Sequence, residues 1–409
     1  MDALAPNADG LSRCPMHLLH AAPVYAPAWS FGGTVRSVTA LAEATAALGV
    51  RVTVVTTVIG TEHRAARAPI WRQINGVDVC YCPARMTPAG IWSPTATEVL
   101  VEQSRLADVG HITSCWVPFG IGAYRAFRGA ALPYVSSPRG AINAYSFARG
   151  SWKKWPYFLL FERRIQEAAA AIHATSPMEA AELLGFLKPS SMEMVPNVCS
   201  SGRWFYDPSA GAAWRDSVGV QPDSLLLLYC GRVERTKNLA FMAPVVQTIN
   251  RKRGCRFVIL GPTARGEMNK VVAAFRRHGV EPPLVMPGTG DDREIRAAYS
   301  GSDVFVLPSL HENFSNVVAE AAMCGTPVVA SDRVGLARLI APLGAATVLQ
   351  LEPAQWAAGV VLAASRERSP ASAVAEMLSS KSVAQAMQRI YSGIRRAHGS
   401  EGRGWPEAR

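Results

Sequence analysis

The chain has no apolar run approaching the ~18–20 residues that a helix needs to cross a bilayer. Residues 1–15 do not read as a signal peptide. A cytoplasmic protein is therefore expected, with peripheral attachment at the inner face of the cytoplasmic membrane left open. Acid is scarce: 31 Asp and Glu stand against 42 Lys and Arg, a net charge of +11. That balance suits an anionic partner, whether nucleotide, nucleic acid or acidic membrane. An Asp-x-Asp pair is missing, and with it the usual means of holding a diphosphate through a metal. There is no Walker loop, and Gly120-Ile-Gly122 lacks the third glycine of a dinucleotide fingerprint. The eight cysteines are scattered, and the Cys80–Cys82 spacing fits neither a zinc knuckle nor a redox pair. Buried thiols in a reducing compartment account for them. At 49% apolar and 18% charged the sequence is globular, and 409 residues suit two domains better than one core.

What is present centres on 304–330. An apolar strand (Val304–Leu307) leads through a polar loop (308–315) into an apolar helix (316–324), and a second buried strand follows (328–330). In open parallel sheets, ligands sit where such strands end. The loop carries Glu312 and the helix carries Glu320, with Phe314, Ser315, Asn316 and Val317 between them. A helix start offers free amides and partial positive charge to a phosphate. One turn further in, a carboxylate can accept hydrogen bonds from a vicinal diol such as a ribose. Acid, anion site and acid thus match sugar, diphosphate and ribose laid end to end. Taken alone, each glutamate would be an ordinary polar residue.

The setting narrows this. Glu-x7-Glu lies between Val-Leu-Pro-Ser (306–309) and Cys-Gly-Thr-Pro-Val-Val (324–329), and the whole run resembles retaining GT-B glycosyltransferases of family 4, also called group 1. Earlier, Leu225–Tyr229 reads as a strand buried on both faces, followed by Cys230-Gly231-Arg232 and Lys237-Asn238. Arg232 and Lys237 can converge on one anion, as a forked donor and a point charge. This block resembles the family's Gly-Arg-x4-Lys, whose basic residues bind the donor phosphates. The resemblance implies Glu312, Arg232 and Lys237 as catalytic residues. It implies Gly33, Phe314, Ser315, Asn316, Val317 and Glu320 as donor-binding residues. Gly33 belongs to a Gly-Gly pair between a strand and the helix reaching Leu48, and in the family that pair borders the diphosphate.

Between Arg139 and Arg164 six basic residues face the single acid Glu162, interleaved with Trp152, Trp155, Tyr157, Phe158 and Phe161. Such a segment can lie in an anionic membrane interface (149–164), pack on the sheet, or line an acceptor cleft with Arg139. It also resembles exopolysaccharide and lipopolysaccharide enzymes, many of which carry His where this chain has Arg139. Past Asp332 relatives tend to read Gly-Gly-x-Pro-Glu, whereas this chain has Arg333-Val-Gly-Leu.

The expectation is an α/β, GT-B protein with two Rossmann-like domains facing a central cleft. A loose extension (1–15) precedes an acceptor domain (16–206), a linker (207–222) and a nucleotide-sugar domain (223–382). A last helix (383–409) crosses back to the first domain. The expected activity is metal-independent, retaining hexosyl transfer in surface polysaccharide synthesis, without a cofactor. The expected partners are a nucleotide diphospho-sugar donor and a glycan or polyprenyl-linked acceptor, and no nucleic acid. A sugar-nucleotide epimerase of the same fold and a non-catalytic nucleotide-sugar-binding protein are the alternatives.

Overall fold

A computed structural model of the chain describes residues 15–148, 151–199, 202–221, 223–262, 265–286, 291–368 and 371–400. Nearly all of the expected N-terminal extension and the final residues 401–409 lie outside these. So do residues 149–150 of the basic and aromatic segment, and 287–290. The chain forms two compact units. One comprises Met1–Ser137, Ala168–Ala171 and Met387–Arg409, and the other Pro138–Glu167 and Ile172–Ala386. No helix among the described residues is long and apolar enough to cross a membrane.

The first unit holds β1 (His17–Ala21), β2 (Arg51–Thr57), β3 (Ile70–Ile74), β4 (Val77–Cys82), β7 (Val109–Ile112) and β8 (Tyr134–Ser136), in the order β8-β7-β1-β2-β4-β3. A short hairpin, β5 (Arg85–Thr87) with β6 (Gly90–Trp92), stands apart from that sheet. All pairs in the sheet are parallel except β3 with β4. The sequence pattern misses β3 because Trp71, Arg72 and Gln73 are exposed, which leaves no apolar face to read. Every residue of β1 is buried, as expected for a central parallel strand. The helix Gly33–Ala46 follows it and buries Val35, Val38, Leu41 and Ala42 at helical spacing.

At the ends of β1 and β7, His20 and His111 are partners in register, and their rings stack 4.3 Å apart. His111 shares hydrogen bonds of 2.7 Å with Ser137 Oγ and with the hydroxyl of Tyr391. Tyr391 lies on the last described helix, Ser380–Ser400, where Arg395 also pairs with Asp108 at 3.3 Å. Residues from the far end of the sequence thereby complete the core of the first strands.

The second unit takes in β10 (Met192–Met194) and, from Ile172 onward, the strand β9 (Ala171–Ala174) with which it pairs in parallel. It also contains a six-stranded sheet of β11 (Leu225–Cys230), β12 (Cys255–Leu260), β13 (Leu284–Met286), β14 (Val304–Leu307), β15 (Val328–Ser331) and β16 (Ala346–Leu349). The order is β13-β12-β11-β14-β15-β16, parallel throughout. Strands β11, β14 and β15 are wholly buried, which explains their unbroken apolar sequences. Stretch 207–222, expected as a linker, carries the helix Pro208–Ser217, whose first turn is capped by Asp207 accepting from the Ala210 amide at 3.0 Å. This helix packs on Asp292–Gly301 so closely that a Cβ on Gly211 would lie 2.7 Å from the Ser300 backbone. Asp291 caps that second helix through the Glu294 amide.

Strand order decides where a ligand can sit. Successive connections from β11 run outward through β12 and β13 on one side, and through β14, β15 and β16 on the other. Between β11 and β14 the order reverses, the place where open parallel sheets bind ligands beyond the carboxyl ends of their strands. The two strands lead directly into the two sequence blocks singled out above.

Candidate active site

The loop after β14 is fixed by its backbone. Leu310 N–H donates to Thr236 O at 2.7 Å, which ties the loop to the block that follows β11. Glu312 forms a one-residue parallel bridge with Val334, donating to Arg333 O and accepting from Gly335 N–H, both at 2.9 Å. Leu336 N–H donates to Phe314 O at 3.1 Å, and the Phe314 ring is buried in the core. Ser315 then takes a left-handed conformation, φ 75 and ψ 86, and the helix Asn316–Met323 begins. Ser315 makes no side-chain cap, so the opening amides of this helix have no hydroxyl over them.

Gly335 lets the backbone close on this bridge. A Cβ there would lie 1.9 Å from Asn313 O, so only glycine allows the approach. Gly140 plays the same part on the other side of Asn313, where a Cβ would come within 2.4 Å of the asparagine Cβ. The Asn313 side chain donates to Thr175 Oγ1 at 3.0 Å, and its carbonyl accepts from Ser176 Oγ at 3.0 Å. These contacts, invisible in the sequence pattern, hold the Glu312 loop from its outer side.

Lys237 ends a short 3-10 turn, Arg235–Lys237, after β11. Its Nζ forms an ion pair with Glu312 Oε1, with the two side chains only 20% and 16% exposed. Burial draws the Lys237 ammonium from 10.5 down to about 8, and Arg232 adds to that while Glu234 opposes it. The Glu312 carboxylate at its tip also favours the charged form. Arg232 is more open: its side chain is 62% exposed and its Nε lies 3.3 Å from Glu234 Oε1. The turn that leads from β11 into Arg232 takes Gly231 at φ 133, and a Cβ on Gly261 would stand 2.5 Å from Gly231 O. The structure brings Lys237 and Glu312 together, while the Arg232 side chain lies open to solvent beside Glu234.

Glu320, half-buried on the helix Asn316–Met323, accepts from the Tyr299 hydroxyl at 3.0 Å. Asn316 Oδ1 accepts from Asn197 Nδ2 at 3.4 Å, and Asn197 Oδ1 accepts from Arg139 Nη1. Arg139 thus joins the first residue of that helix through Asn197, from a backbone position with φ 54. Beside it the fully buried carboxylate of Glu179 takes the amides of Gly140 and Thr175. His311 Nε2 lies 2.9 Å from Glu182 Oε1, and the His311 ring stacks on Tyr145. Sequence reading singled out neither Asn313, Glu179 nor Tyr299, since each is an ordinary residue type without a motif around it. Gly33 belongs to the other unit, where it opens its helix just after Gly32 at φ 78.

Comparison with known proteins decides the family. Residues 32–198 match the model described as a glycosyl transferase 4-like domain, and 224–366 match glycosyl transferases group 1. By both of its domains the chain belongs with the GT4-type glycosyltransferases. A D-inositol 3-phosphate glycosyltransferase of Paenarthrobacter aurescens is 30% identical over 190 residues, covering 44% of this chain and 45% of that protein. Another of that name, from Segniliparus rotundus, is 26% identical over 250 residues, covering 59% and 55%. The chain spans about half the length of such curated relatives. Sucrose-phosphate synthase from Thermosynechococcus elongatus superposes with a TM-score of 0.65 at 19% identity, covering 95% of this chain and 98% of that one. Anabaena HepE in complex with UDP-glucose gives 0.65 at 14%, covering 94% and 99%. The fold is GT-B.

Proposed function

We propose that this chain is a retaining, metal-independent glycosyltransferase that moves a sugar from a nucleotide diphospho-sugar to a glycan or lipid-linked acceptor in surface polysaccharide synthesis. The observation carrying this reading is the contact of Lys237 with Glu312 at the reversal of the second sheet, beside an uncapped helix start. The bond from the anomeric carbon to the diphosphate breaks, and its electron pair leaves with the phosphate. The acceptor oxygen bonds to the same carbon on the same face, and its proton passes to the departing phosphate oxygen. Lys237, Arg232 and the amides of 315–317 would stabilise the negative charge that develops on the leaving group. Glu312 would hold sugar hydroxyls and Glu320 the ribose. Arg139 is assigned to the acceptor side, and Gly33 to the diphosphate by resemblance alone.

The test begins with thermal shift against UDP-, GDP- and ADP-sugars. The stabilising donor is then offered with polyprenyl-linked acceptors and with inositol phosphate, the polyol phosphate suggested by the relatives' names. Transfer to an acceptor supports the reading. Release of an epimerised sugar nucleotide from the donor alone would make the chain an epimerase, and binding without any turnover would make it a binding protein.

A pH dependence follows from Lys237. The cation that meets phosphate persists below about 8 and is lost above it. In kcat/KM, which reports the free enzyme, an alkaline limb is expected near that pH, and Lys237→Arg should carry the limb upward. The sign for stability is opposite. Between about 8 and the ordinary 10.5 the unfolded chain keeps a proton the native one has released, so this group's contribution to stability rises with pH. A flat kcat/KM profile from pH 7 to 10 would remove the phosphate role of Lys237.

The basic and aromatic segment divides in the structure. Phe158 is buried against Phe147 and Phe186, whereas Trp155, Leu159, Leu160 and Phe161 are exposed, the two leucines by 53% and 61%. Lys154 is spent on Ser146, and Arg163 on Glu167 at 3.0 Å. Arg164 remains exposed beside the apolar face. Apolar and aromatic residues flanked by cations suit the interface of an anionic bilayer, and we assign peripheral contact to this face. Sedimentation with phosphatidylglycerol vesicles should exceed that with phosphatidylcholine. L159E/L160E should lower it at least tenfold, and equal sedimentation of all three samples would sink the assignment.

A further inference from the structure

We infer that Tyr299 is a positioning residue for nucleotide recognition, setting the Glu320 carboxylate so that its outer oxygen accepts from a ribose diol. The inference rests on the ribose role proposed for Glu320. Tyr299 lies on the helix Asp292–Gly301 and is completely buried, yet its hydroxyl ends 3.0 Å from Glu320 Oε2. Burial raises the phenol well above its ordinary value, so the hydroxyl stays protonated and serves as a donor at any working pH.

Three separate contacts keep that donor still. The ring stands edge-on to Trp204 and Phe305, with centroids 6.0 and 5.7 Å away. The Tyr299 carbonyl accepts from the buried Thr326 hydroxyl at 2.6 Å. Its helix is locked against Pro208–Ser217, where a Cβ on Gly301 would meet Gly211 O at 2.5 Å. A glutamate on a helix has three rotatable bonds and would otherwise sample several carboxylate orientations. Holding one oxygen from a rigid core leaves the other in a single orientation, which is what discrimination of a hydroxyl requires. An acceptor fixed in this way binds the ribose more tightly because less freedom is lost on association.

The experiment compares each of UDP, GDP and ADP with its 2′-deoxy counterpart by calorimetry, using the best-bound pair. In the unsubstituted protein the ribonucleotide should bind at least tenfold more tightly than the 2′-deoxy form. Tyr299→Phe keeps the ring and its packing, and a melting scan confirms that the chain is folded. This variant should narrow the ratio threefold or more, leave affinity for the 2′-deoxy form unchanged, and raise donor KM with kcat within twofold. Glu320→Ala is measured alongside. A collapsed ratio in Glu320→Ala with an unaltered ratio in Tyr299→Phe overturns the inference and leaves the ribose reading standing. An unaltered ratio in Glu320→Ala overturns the ribose reading, and the inference falls with it.

Discussion

Lys237→Ala is expected to lower kcat at least about 100-fold, the loss produced by removing one preorganised donor from a developing oxyanion. The magnitude follows from where the ammonium sits. It is four-fifths buried at the reversal between β11 and β14, where charge is poorly screened. The donor carries its negative charge before reaction, but that charge shifts onto the leaving oxygen as the glycosidic bond breaks. A group aimed at that oxygen acts more strongly in the transition state than in the bound donor. The effect should therefore appear mainly in kcat, with a smaller rise in KM. Truncation also leaves Glu312 without this cation, and a loss of about 1–3 kcal/mol in unfolding free energy is expected. Steady-state kinetics with a denaturation curve on the same sample separate the two. Turnover within threefold of the original in a folded variant would exclude Lys237 from leaving-group stabilisation.

Gly335→Ala should be nearly as damaging, although residue 335 bears no chemistry. Its added Cβ would overlap Asn313 O at 1.9 Å, and that carbonyl belongs to the residue next to Glu312. Either the loop 308–315 moves outward or the helix Gly335–Ile340 retreats from it. Both break the bridge that pins Glu312 beside Val334. Overpacking at a rigid backbone contact costs about 1–3 kcal/mol. A displacement of about 1 Å at a positioning residue can cost about 100-fold in rate. The expected result is a chain that still melts cooperatively but turns over at least about tenfold more slowly. Full activity with unchanged melting would show that the bridge does not place Glu312.

Much of the second sheet was legible because parallel strands buried on both faces must be written as unbroken apolar runs, as in Leu225–Leu228 and Val304–Leu307. The motif residues could be read for a related reason. Gly231, Lys237, Glu312 and Glu320 follow strand ends at short, fixed offsets, so their proximity is encoded locally. Tyr299, Asn313 and Glu179 were not legible, because Glu320, Thr175 and Gly140, which they respectively meet, lie 21, 138 and 39 residues away and no motif in their own neighbourhoods marks them. Arg232 was legible as a motif position, but its pairing with nearby Glu234 was not. Strand β3 stayed hidden because an exposed edge strand has no apolar face to announce it.

The hydrogen bond between His111 and Tyr391 spans 280 positions of sequence. During synthesis, β1 and β7 leave the ribosome long before the helix that completes their packing exists. The ends of β1 and β7 therefore stay unfinished until the helix Ser380–Ser400 has been made.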